Sequence, residues 1–165
     1  MENILNEPKE NLVYIDESGI DTYLNNPWVY SIRGKQVYGE VSGKRYDRES
    51  FIAAKVGTEV IAPMCFKGTC NTEVFNIWIK NVLIPELKPG QIVIMDNATF
   101  HKSKKTKELI ESVGCSILFL PPYSPDLNPI EKFWANLKAR IKSSLINFKS
   151  LSDAIDYAFS IKYSN

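Results

Sequence analysis

Four prolines lie within one stretch of the chain, residues 120–138, which reads LPPYSPDLNPIEKFWANLK. Each proline fixes its own φ at about −65° and disfavours helix in the residue before it. Residues 120–127 are therefore predicted to form an ordered extended loop. Asn128 is typical of a helix N-cap and is followed by Pro129 at the first helical position. A helix is predicted to begin here and to carry Glu131 in its first turn.

Glu131 has two interpretations. Its carboxylate can accept a hydrogen bond from the backbone N–H of Asn128 in a capping box, which stabilises a helix by about 1 kcal/mol. Alternatively, because the helix dipole favours an ionised carboxylate in the first turn, Glu131 can serve as a ligand for a hard cation. The stretch itself does not choose between these interpretations, so the choice depends on acids elsewhere in the chain.

The composition is that of one ordinary globular domain. The chain has 165 residues, of which 44% are hydrophobic and 24% are charged, and this is sufficient for a single domain with a core. The formal net charge of +1 gives no support to a protein that coats polyanions and does not exclude local basic patches. Any contact with nucleic acid therefore has to be argued from clusters of basic residues.

The cysteines and the N-terminus indicate a reducing compartment. Cys65, Cys70 and Cys115 are odd in number and form no C-x-x-C pair, which fits neither a disulfide framework nor a zinc site. The N-terminus lacks the basic and apolar regions of a signal peptide, and no apolar run approaches the roughly 20 residues that span a bilayer. We therefore expect a cytoplasmic protein without a membrane partner.

The order of the predicted elements is that of a mixed α/β fold in which a sheet is flanked by helices. A hairpin comes early and strands then alternate with helices, so the sheet is predicted to start antiparallel and to finish parallel. Residues 1–11 are predicted to be a polar tail or linker remnant, and residues 12–165 a single domain. The predicted strands are residues 12–15, 28–32, 51–56, 59–66, 92–95 and 116–120, and the predicted helices are residues 72–84, 102–113, 129–141 and 151–161.

Asp16 and Asp96 each follow four apolar residues, at the predicted end of a strand. Ligands of open α/β sheets bind at the carboxyl ends of strands. If the two strands are neighbours, the two carboxylates lie close together, which is unfavourable unless a cation neutralises them. With Glu131 they form a set of oxygen ligands suited to Mg²⁺ or Mn²⁺. The alternative for either aspartate alone is an acid that turns the chain or caps a helix.

Three motifs follow one another along the chain: YIDES, VIMDNATFHKS and LPPYSPDLNPIEKFWANLK. Together they resemble the catalytic domain of mariner-superfamily DDE transposases, in particular the bacterial insertion-sequence branch. The 34 residues between Asp96 and Glu131 match the acidic-triad spacing of that branch. The resemblance covers residues 12–145 and also includes Trp28 with Arg33-Gly34-Lys35, Phe66-Lys67-Gly68, and Asn71 with Trp78.

The resemblance implies an RNase H-like fold with Asp16 on the central first strand, Asp96 on the neighbouring fourth strand and Glu131 on a later helix. It also implies metal-dependent hydrolysis of DNA phosphodiester bonds at transposon ends, followed by attack of the freed 3′-hydroxyl on target DNA. In such reactions two Mg²⁺ or Mn²⁺ ions about 4 Å apart activate the nucleophile and stabilise the leaving oxygen. The implied bridging ligand is Asp16, the implied partner is double-stranded DNA, and the implied active assembly is a homodimer.

Further candidate residues lie near the three acids. His101, the only histidine, either contacts the scissile region or fixes the loop after Asp96 through a hydrogen bond. Asn97 either orders the same loop or orients a metal ligand. Basic side chains near the acids either contact DNA phosphates or form solvated faces. These basic candidates are Arg33, Lys102, Lys104, Lys105 and Lys132.

The chain departs from full-length members of that superfamily at its N-terminus, because they carry helix-turn-helix modules ahead of the catalytic domain and only a polar segment precedes residue 12 here. We therefore expect the catalytic part of a longer or frameshifted product, or a remnant of an element. The alternative function is an inactive relic or an accessory DNA-binding or dimerising module with the same fold. A third hypothesis is a carboxylate-pair hydrolase of sugars, which predicts activity without metal.

Overall fold

A five-stranded mixed sheet forms the centre of the structure, a computed structural model that describes residues 4, 6–21 and 48–161. The strands are β1 (Leu12–Asp21), β2 (Arg48–Val56), β3 (Glu59–Lys67), β4 (Ile92–Met95) and β5 (Ser116–Phe119). Their order across the sheet is β3-β2-β1-β4-β5. The pairs β1–β2 and β2–β3 are antiparallel, whereas β1–β4 and β4–β5 are parallel. The predicted antiparallel start and parallel finish are confirmed.

Strand β1 continues well past its predicted end at residue 15. It runs to Asp21 because β2 pairs with it along that length, and Asp16 itself lies opposite Ala53. Pairing with a neighbouring strand thus overrides the weak strand preference of the acids, serine and glycine that follow residue 15. The prediction that Asp16 ends a strand is therefore wrong, since Asp16 lies within one.

The parallel pairing of β1 with β4 determines where the two aspartates lie. Leu12 pairs with Ile92, and Tyr14 pairs with Ile94. Because the register is fixed by these pairs, the position two residues further along each strand brings Asp16 beside Asp96. The two acids therefore lie beside each other at adjacent strands, as the sequence predicted.

Four α-helices lie within the described residues: α1 (Thr72–Trp78), α2 (Lys104–Glu111), α3 (Ile130–Ser144) and α4 (Leu151–Ser160). After α1 the chain continues as a π-helical segment over Ile79–Leu83 and a 3-10 turn over Ile84–Glu86. Three of the α-helices begin at a side-chain cap that accepts a backbone N–H, which stabilises each N-terminus. The caps are Asn71 for α1, Ser103 for α2 and Ser150 for α4.

Helix α2 begins later than the predicted start at residue 102. The extended backbone of Ser103, with φ −68° and ψ 147°, separates it from a 3-10 turn over Thr99–Lys102. The Ser103 Oγ atom accepts the backbone N–H of Thr106 at 3.0 Å and so begins the helix at the next residue.

Side chains that alternate between the two faces of the sheet create two large apolar cores, and Leu12, Ile94 and Leu120 form a smaller cluster. One core, around Ile15 and Phe75, lies between the sheet and helices α1 and α2. The other, around Ile20 and Trp134, lies between the sheet and helices α3 and α4. Because Asp16 directly follows Ile15, its side chain lies on the opposite face and is directed toward α3.

The predicted strand at residues 28–32 and the candidate Arg33 lie outside the described residues. Near the N-terminus, a 3-10 turn over Lys9–Asn11 precedes β1, and the side-chain N–H of Gln91 donates to the carbonyl of Glu10 at 2.8 Å. Every helix in the described part of the chain is too short or too polar to cross a lipid bilayer.

Candidate active site

Asp16 lies in a largely buried position between β1 and α3. Its Oδ2 atom accepts a hydrogen bond from the indole Nε1 of Trp134 at 3.2 Å. Burial, together with the charges of Glu17, Glu131 and Asp96, raises the pKa of Asp16 to about 7, and burial is the largest cause. The three other carboxylates are therefore close enough to disfavour a negative charge on Asp16.

Asp96 directly follows β4 and is held by two donors. Its Oδ1 atom lies 2.6 Å from Nδ1 of His101 and accepts the backbone N–H of Ala98 at 3.0 Å. The hydrogen bond from His101 is the main reason that the pKa of Asp96 is lowered, although partial burial opposes it. Asp96 therefore remains ionised at pH values at which Asp16 still holds a proton.

Glu131 occupies the first turn of α3, as predicted, and its side chain is exposed. The capping-box interpretation is wrong, because the backbone N–H of Asn128 donates to the carbonyl of Pro125 at 2.9 Å. Helix α3 also begins at Ile130, one residue later than predicted, although Asn128 still caps it by accepting the N–H of Ile130 at 3.2 Å. The described residues provide no hydrogen-bond donor to the Glu131 carboxylate.

Asn128 links the proline-rich loop to the central strand. Its side chain is buried, and its Nδ2 atom donates to the backbone carbonyl of Ile15 at 3.3 Å. Since Asn128 precedes α3 and Ile15 precedes Asp16, this bond determines how the start of α3 lies relative to β1. The asparagine therefore helps to place Glu131 near Asp16.

The three acids line one open cavity of about 400 Å³, together with Asn97, Asn128 and the loop over residues 120–125. Three carboxylates are the donor set that Mg²⁺ and Mn²⁺ prefer, and the repulsion that raises the pKa of Asp16 is the kind that a divalent cation relieves. Within residues 4, 6–21 and 48–161, however, no three His, Cys, Asp or Glu side chains already converge as a metal cage. The donor chemistry therefore fits a cation, and the carboxylates have to move closer together to bind one.

The remaining candidates divide into one buried residue and several exposed ones. His101 is fully buried, so its side chain has no surface available for contact with a DNA phosphate in this structure. Lys104 forms an exposed ion pair with Glu108 at 3.6 Å, and the Nζ atom of Lys102 lies 5.8 Å from the centroid of the Phe119 ring. Lys102, Lys104, Lys105 and Lys132 are all exposed, and none of them lines the cavity of the three acids.

Two residues near the site were missed from the sequence. Glu17 contacts Nε2 of His101 through its Oε1 atom at 2.7 Å, and Trp134 was predicted only as an apolar residue of α3. Strand alternation could have signalled Glu17, because an acid that follows a buried strand residue by two positions shares its face of the sheet. Nothing in the sequence distinguishes the polar contact of Trp134 from ordinary core packing.

A sequence model of the family described as "DDE superfamily endonuclease" matches residues 11–153. The chain belongs to this family. The match includes Asp16, Asp96 and Glu131, and it confirms the resemblance to DDE enzymes that the three motifs indicated. Membership of the bacterial insertion-sequence branch stays a prediction.

One relative of this DDE-family chain is the uncharacterized protein y4pE/y4sA of Sinorhizobium fredii (strain NBRC 101917 / NGR234). The two are 33% identical over 66 residues, which are 40% of this chain and 46% of the relative. The chain thus matches less than half of the length of this relative.

Solved structures of Mos1 transposase share the fold of the DDE-family chain. The catalytic domain of Mos1 mariner transposase is 19% identical, with a TM-score of 0.64 that covers 98% of this chain and 76% of that one. The Mos1 transposase paired-end complex with the left transposon end is 18% identical, with a TM-score of 0.69, and covers 98% of this chain and 51% of that one. This chain therefore spans about half the length of the Mos1 chain in that complex. The predicted RNase H-like fold is confirmed.

Proposed function

We propose that this DDE-family domain cleaves DNA phosphodiester bonds in a reaction that depends on divalent metal ions, with Asp16, Asp96 and Glu131 as the catalytic carboxylates. One observation carries the proposal: acids from β1, from the end of β4 and from the first turn of α3 line the same cavity. The proposal is supported by membership of an endonuclease family.

The three carboxylates are proposed to hold Mg²⁺ or Mn²⁺, with two ions present when DNA is bound and Asp16 as their shared ligand. Structures of Mos1 transposase support this choice of ions. The Mos1 catalytic domain with Raltegravir and Mg is 17% identical (TM-score 0.63), and the Mos1 paired-end complex with Mn is 16% identical (TM-score 0.58). Such ions activate the attacking oxygen and stabilise the leaving oxygen of a phosphodiester.

In this proposal, the protein holds the carboxylate oxygens of the three acids in an open cavity that a DNA backbone can reach. Trp134 orients Asp16, and His101 with the backbone of Ala98 orients Asp96 through a single oxygen, Oδ1. Glu131 is exposed and has no donor within the described residues, so its carboxylate can turn toward a cation without breaking a hydrogen bond. Two acids are thus held in place and the third is free to close the site.

We further propose double-stranded DNA as the partner, with cleavage at transposon ends followed by attack of the freed 3′-hydroxyl on target DNA in a homodimer. Mos1 structures with a transposon end and in a strand transfer complex support this assignment. The exposed lysines at positions 102, 104, 105 and 132, together with Arg33, are proposed phosphate contacts, and Asn97 is proposed to order the loop beside Asp96. The cytoplasmic, DNA-associated location remains a prediction.

The test is cleavage of a supercoiled plasmid, which requires no knowledge of the transposon end. The purified protein with Mn²⁺ is expected to nick the plasmid, and Asp96→Asn is expected to abolish nicking because one carboxylate ligand is lost. Asp153→Asn is the matched control, since Asp153 is an exposed acid in the first turn of α4, far along the chain from the cavity residues. This control is expected to cleave like wild type.

Other results of this experiment would contradict the proposal, and each would do so in a different way. Wild-type activity that is indistinguishable from Asp96→Asn would contradict the proposal and favour an inactive relic or an accessory DNA-binding module. Cleavage that persists in excess chelator would contradict metal dependence. Hydrolysis of sugars without metal would support the carboxylate-pair hydrolase instead.

A further inference from the structure

A buried imidazole bridges two carboxylates behind the cavity. The Nδ1 atom of His101 lies 2.6 Å from Oδ1 of Asp96, and its Nε2 atom lies 2.7 Å from Oε1 of Glu17. The exposed fractions of the side chains are 0% for His101, 15% for Glu17 and 54% for Asp96. A fully buried ring therefore connects a mostly buried acid, Glu17, to an acid that is half exposed, Asp96.

The ring of His101 has little freedom to move. Its centroid lies 4.4 Å from that of Phe75 and 4.3 Å from that of Phe100. Packing between two aromatic rings restricts the tilt of the imidazole, and the two carboxylates at opposite edges restrict its rotation. A hydrogen bond from such a ring specifies the orientation of its acceptor more closely than a bond from an exposed side chain does.

Glu17 enters this bridge from the face of the sheet opposite to Asp16. The two residues are adjacent in β1, and strand alternation directs Asp16 toward α3 and Glu17 toward the side of α1. Glu17 does not line the cavity of the three acids, so it has no direct access to a ligand there. Apart from the effect of its charge on Asp16, its influence on that cavity passes through His101.

We propose that Glu17 is a positioning residue that fixes His101, and that His101 in turn fixes the Asp96 carboxylate for metal binding. The bridge engages Oδ1 of Asp96 and leaves Oδ2 without a donor among the described residues, so Oδ2 is the atom offered to a cation. Partners of metal ligands orient them in this way and raise their affinity for the ion. The inference rests on the proposed function, since it requires Asp96 to be a metal ligand.

The test measures Mn²⁺ binding to the metal-free protein by electron paramagnetic resonance, with thermal unfolding measured beside it. Glu17→Ala is expected to weaken Mn²⁺ binding about 10-fold to 100-fold, the usual effect of removing the partner of a ligand. Glu17→Gln is expected to show a smaller loss, because its amide oxygen still accepts the N–H of His101. Partial rescue by glutamine identifies the hydrogen bond as the cause.

Two controls separate positioning from general destabilisation. Thr106→Val removes a buried hydrogen bond of 2.8 Å to Asn76 on the same side of the sheet, so it is expected to lower the unfolding temperature and to leave Mn²⁺ affinity unchanged. Asp21→Asn changes another acid of β1 that contacts neither His101 nor the cavity, and is also expected to bind Mn²⁺ like wild type.

The single histidine adds a readout that needs no metal. Because His101 is the only histidine in the chain, its ring ¹⁵N signals are unambiguous. Glu17→Ala is expected to shift the Nε2 signal, since that atom loses its acceptor. An unchanged Nε2 signal would overturn the bridge itself.

The outcomes distinguish this inference from the function on which it rests. If wild type binds Mn²⁺, Asp96→Asn loses it and Glu17→Ala retains full affinity, the positioning role is overturned and the metal site stands. If wild type binds no Mn²⁺, the proposed metal site and the positioning role are overturned together.

Discussion

Trp134 of α3 donates its indole N–H to the Asp16 carboxylate of β1 at 3.2 Å, so a core aromatic residue is also a polar partner of a proposed metal ligand. The same ring packs against Phe51, with the ring centroids 6.0 Å apart. The two roles are separable by substitution, because phenylalanine keeps an aromatic ring and lacks the N–H.

Trp134→Phe is expected to raise the pKa of Asp16 beyond its value of about 7, because the charged form loses a donor. Mn²⁺ binding at pH 7 should then weaken, and it should recover toward wild type at pH 9, where Asp16 is ionised in both proteins. Titration calorimetry at the two pH values measures this. Trp78→Phe is the matched control, since it removes an indole bond to the carbonyl of Ala62 at 2.8 Å, away from the acids. Equal Mn²⁺ affinities for wild type and Trp134→Phe at pH 7 would contradict the role of the indole.

The contribution of Asp16 to the stability of the metal-free protein is expected to fall as pH rises from about 4 to about 7. The folded state keeps a proton on Asp16 up to a pKa of about 7, whereas the unfolded chain releases it near the ordinary value of 3.8. The unfolded state therefore binds fewer protons in this range, and the free energy of unfolding decreases with pH. A shift of this size corresponds to roughly 4 kcal/mol.

Asp16→Asn tests this assignment, because asparagine does not titrate. Urea denaturation at several pH values should show the variant gaining stability relative to wild type between pH 4 and pH 7, with a constant difference above that range. A difference that does not change with pH would show that Asp16 does not carry the effect.

Asn128→Ala is expected to destabilise the fold by about 1–2 kcal/mol, because it removes the cap on Ile130 and the bond to the carbonyl of Ile15. Asn128→Ser keeps an uncharged capping oxygen for the N–H of Ile130 and loses the amide donor to Ile15, so an intermediate loss is expected. Urea denaturation ranks the three proteins. If alanine and asparagine give equal stability, the link between the loop and β1 contributes nothing.

Charge reversal of Lys104 and Lys105 is expected to weaken DNA binding and to reduce its dependence on salt. Each lost phosphate contact lowers the slope of log K against log salt by about 0.9, so the double variant should lose about 2. Fluorescence anisotropy over a range of salt concentrations measures this slope. Lys88→Glu is the control, because Lys88 is exposed and precedes β4, at the end of the strand away from Asp96. Unchanged affinity of the double variant at every salt concentration would rule out phosphate contacts at these lysines.

The sequence was sufficient for the order of the elements within the described residues and for the neighbour relation of Asp16 and Asp96, because both depend on local apolar runs and on the parallel pairing of short strands. The first turn of α3 was also predictable, since Asn128 and Pro129 are local signals. The length of β1 was not predictable, because its second half is a strand only through pairing with β2. Local residue preferences carry no information about that partner.

The contacts behind the cavity were harder to predict for a related reason. Glu17 and His101 are 84 positions apart, and only the finished sheet brings them together. The sequence left open whether His101 fixes the loop or contacts DNA, and burial of its side chain favours the first role in this structure. A residue whose function depends on a distant partner is visible in the sequence only as an unexplained polar group.

The alternation of Asp16 and Glu17 in β1 also limits which changes of length the strand can accept. Deleting one residue between Leu12 and Asp16 would turn Glu17 toward the cavity and Ser18 toward the imidazole, whereas inserting one residue would turn the apolar Ile15 toward the cavity and Asp16 away from it. Inserting or deleting two residues would return Asp16 and Glu17 to their own faces of the sheet, but it would displace both acids along the strand. Natural variation in length is therefore expected to be confined to the connections between strands, and engineered insertions should be placed there.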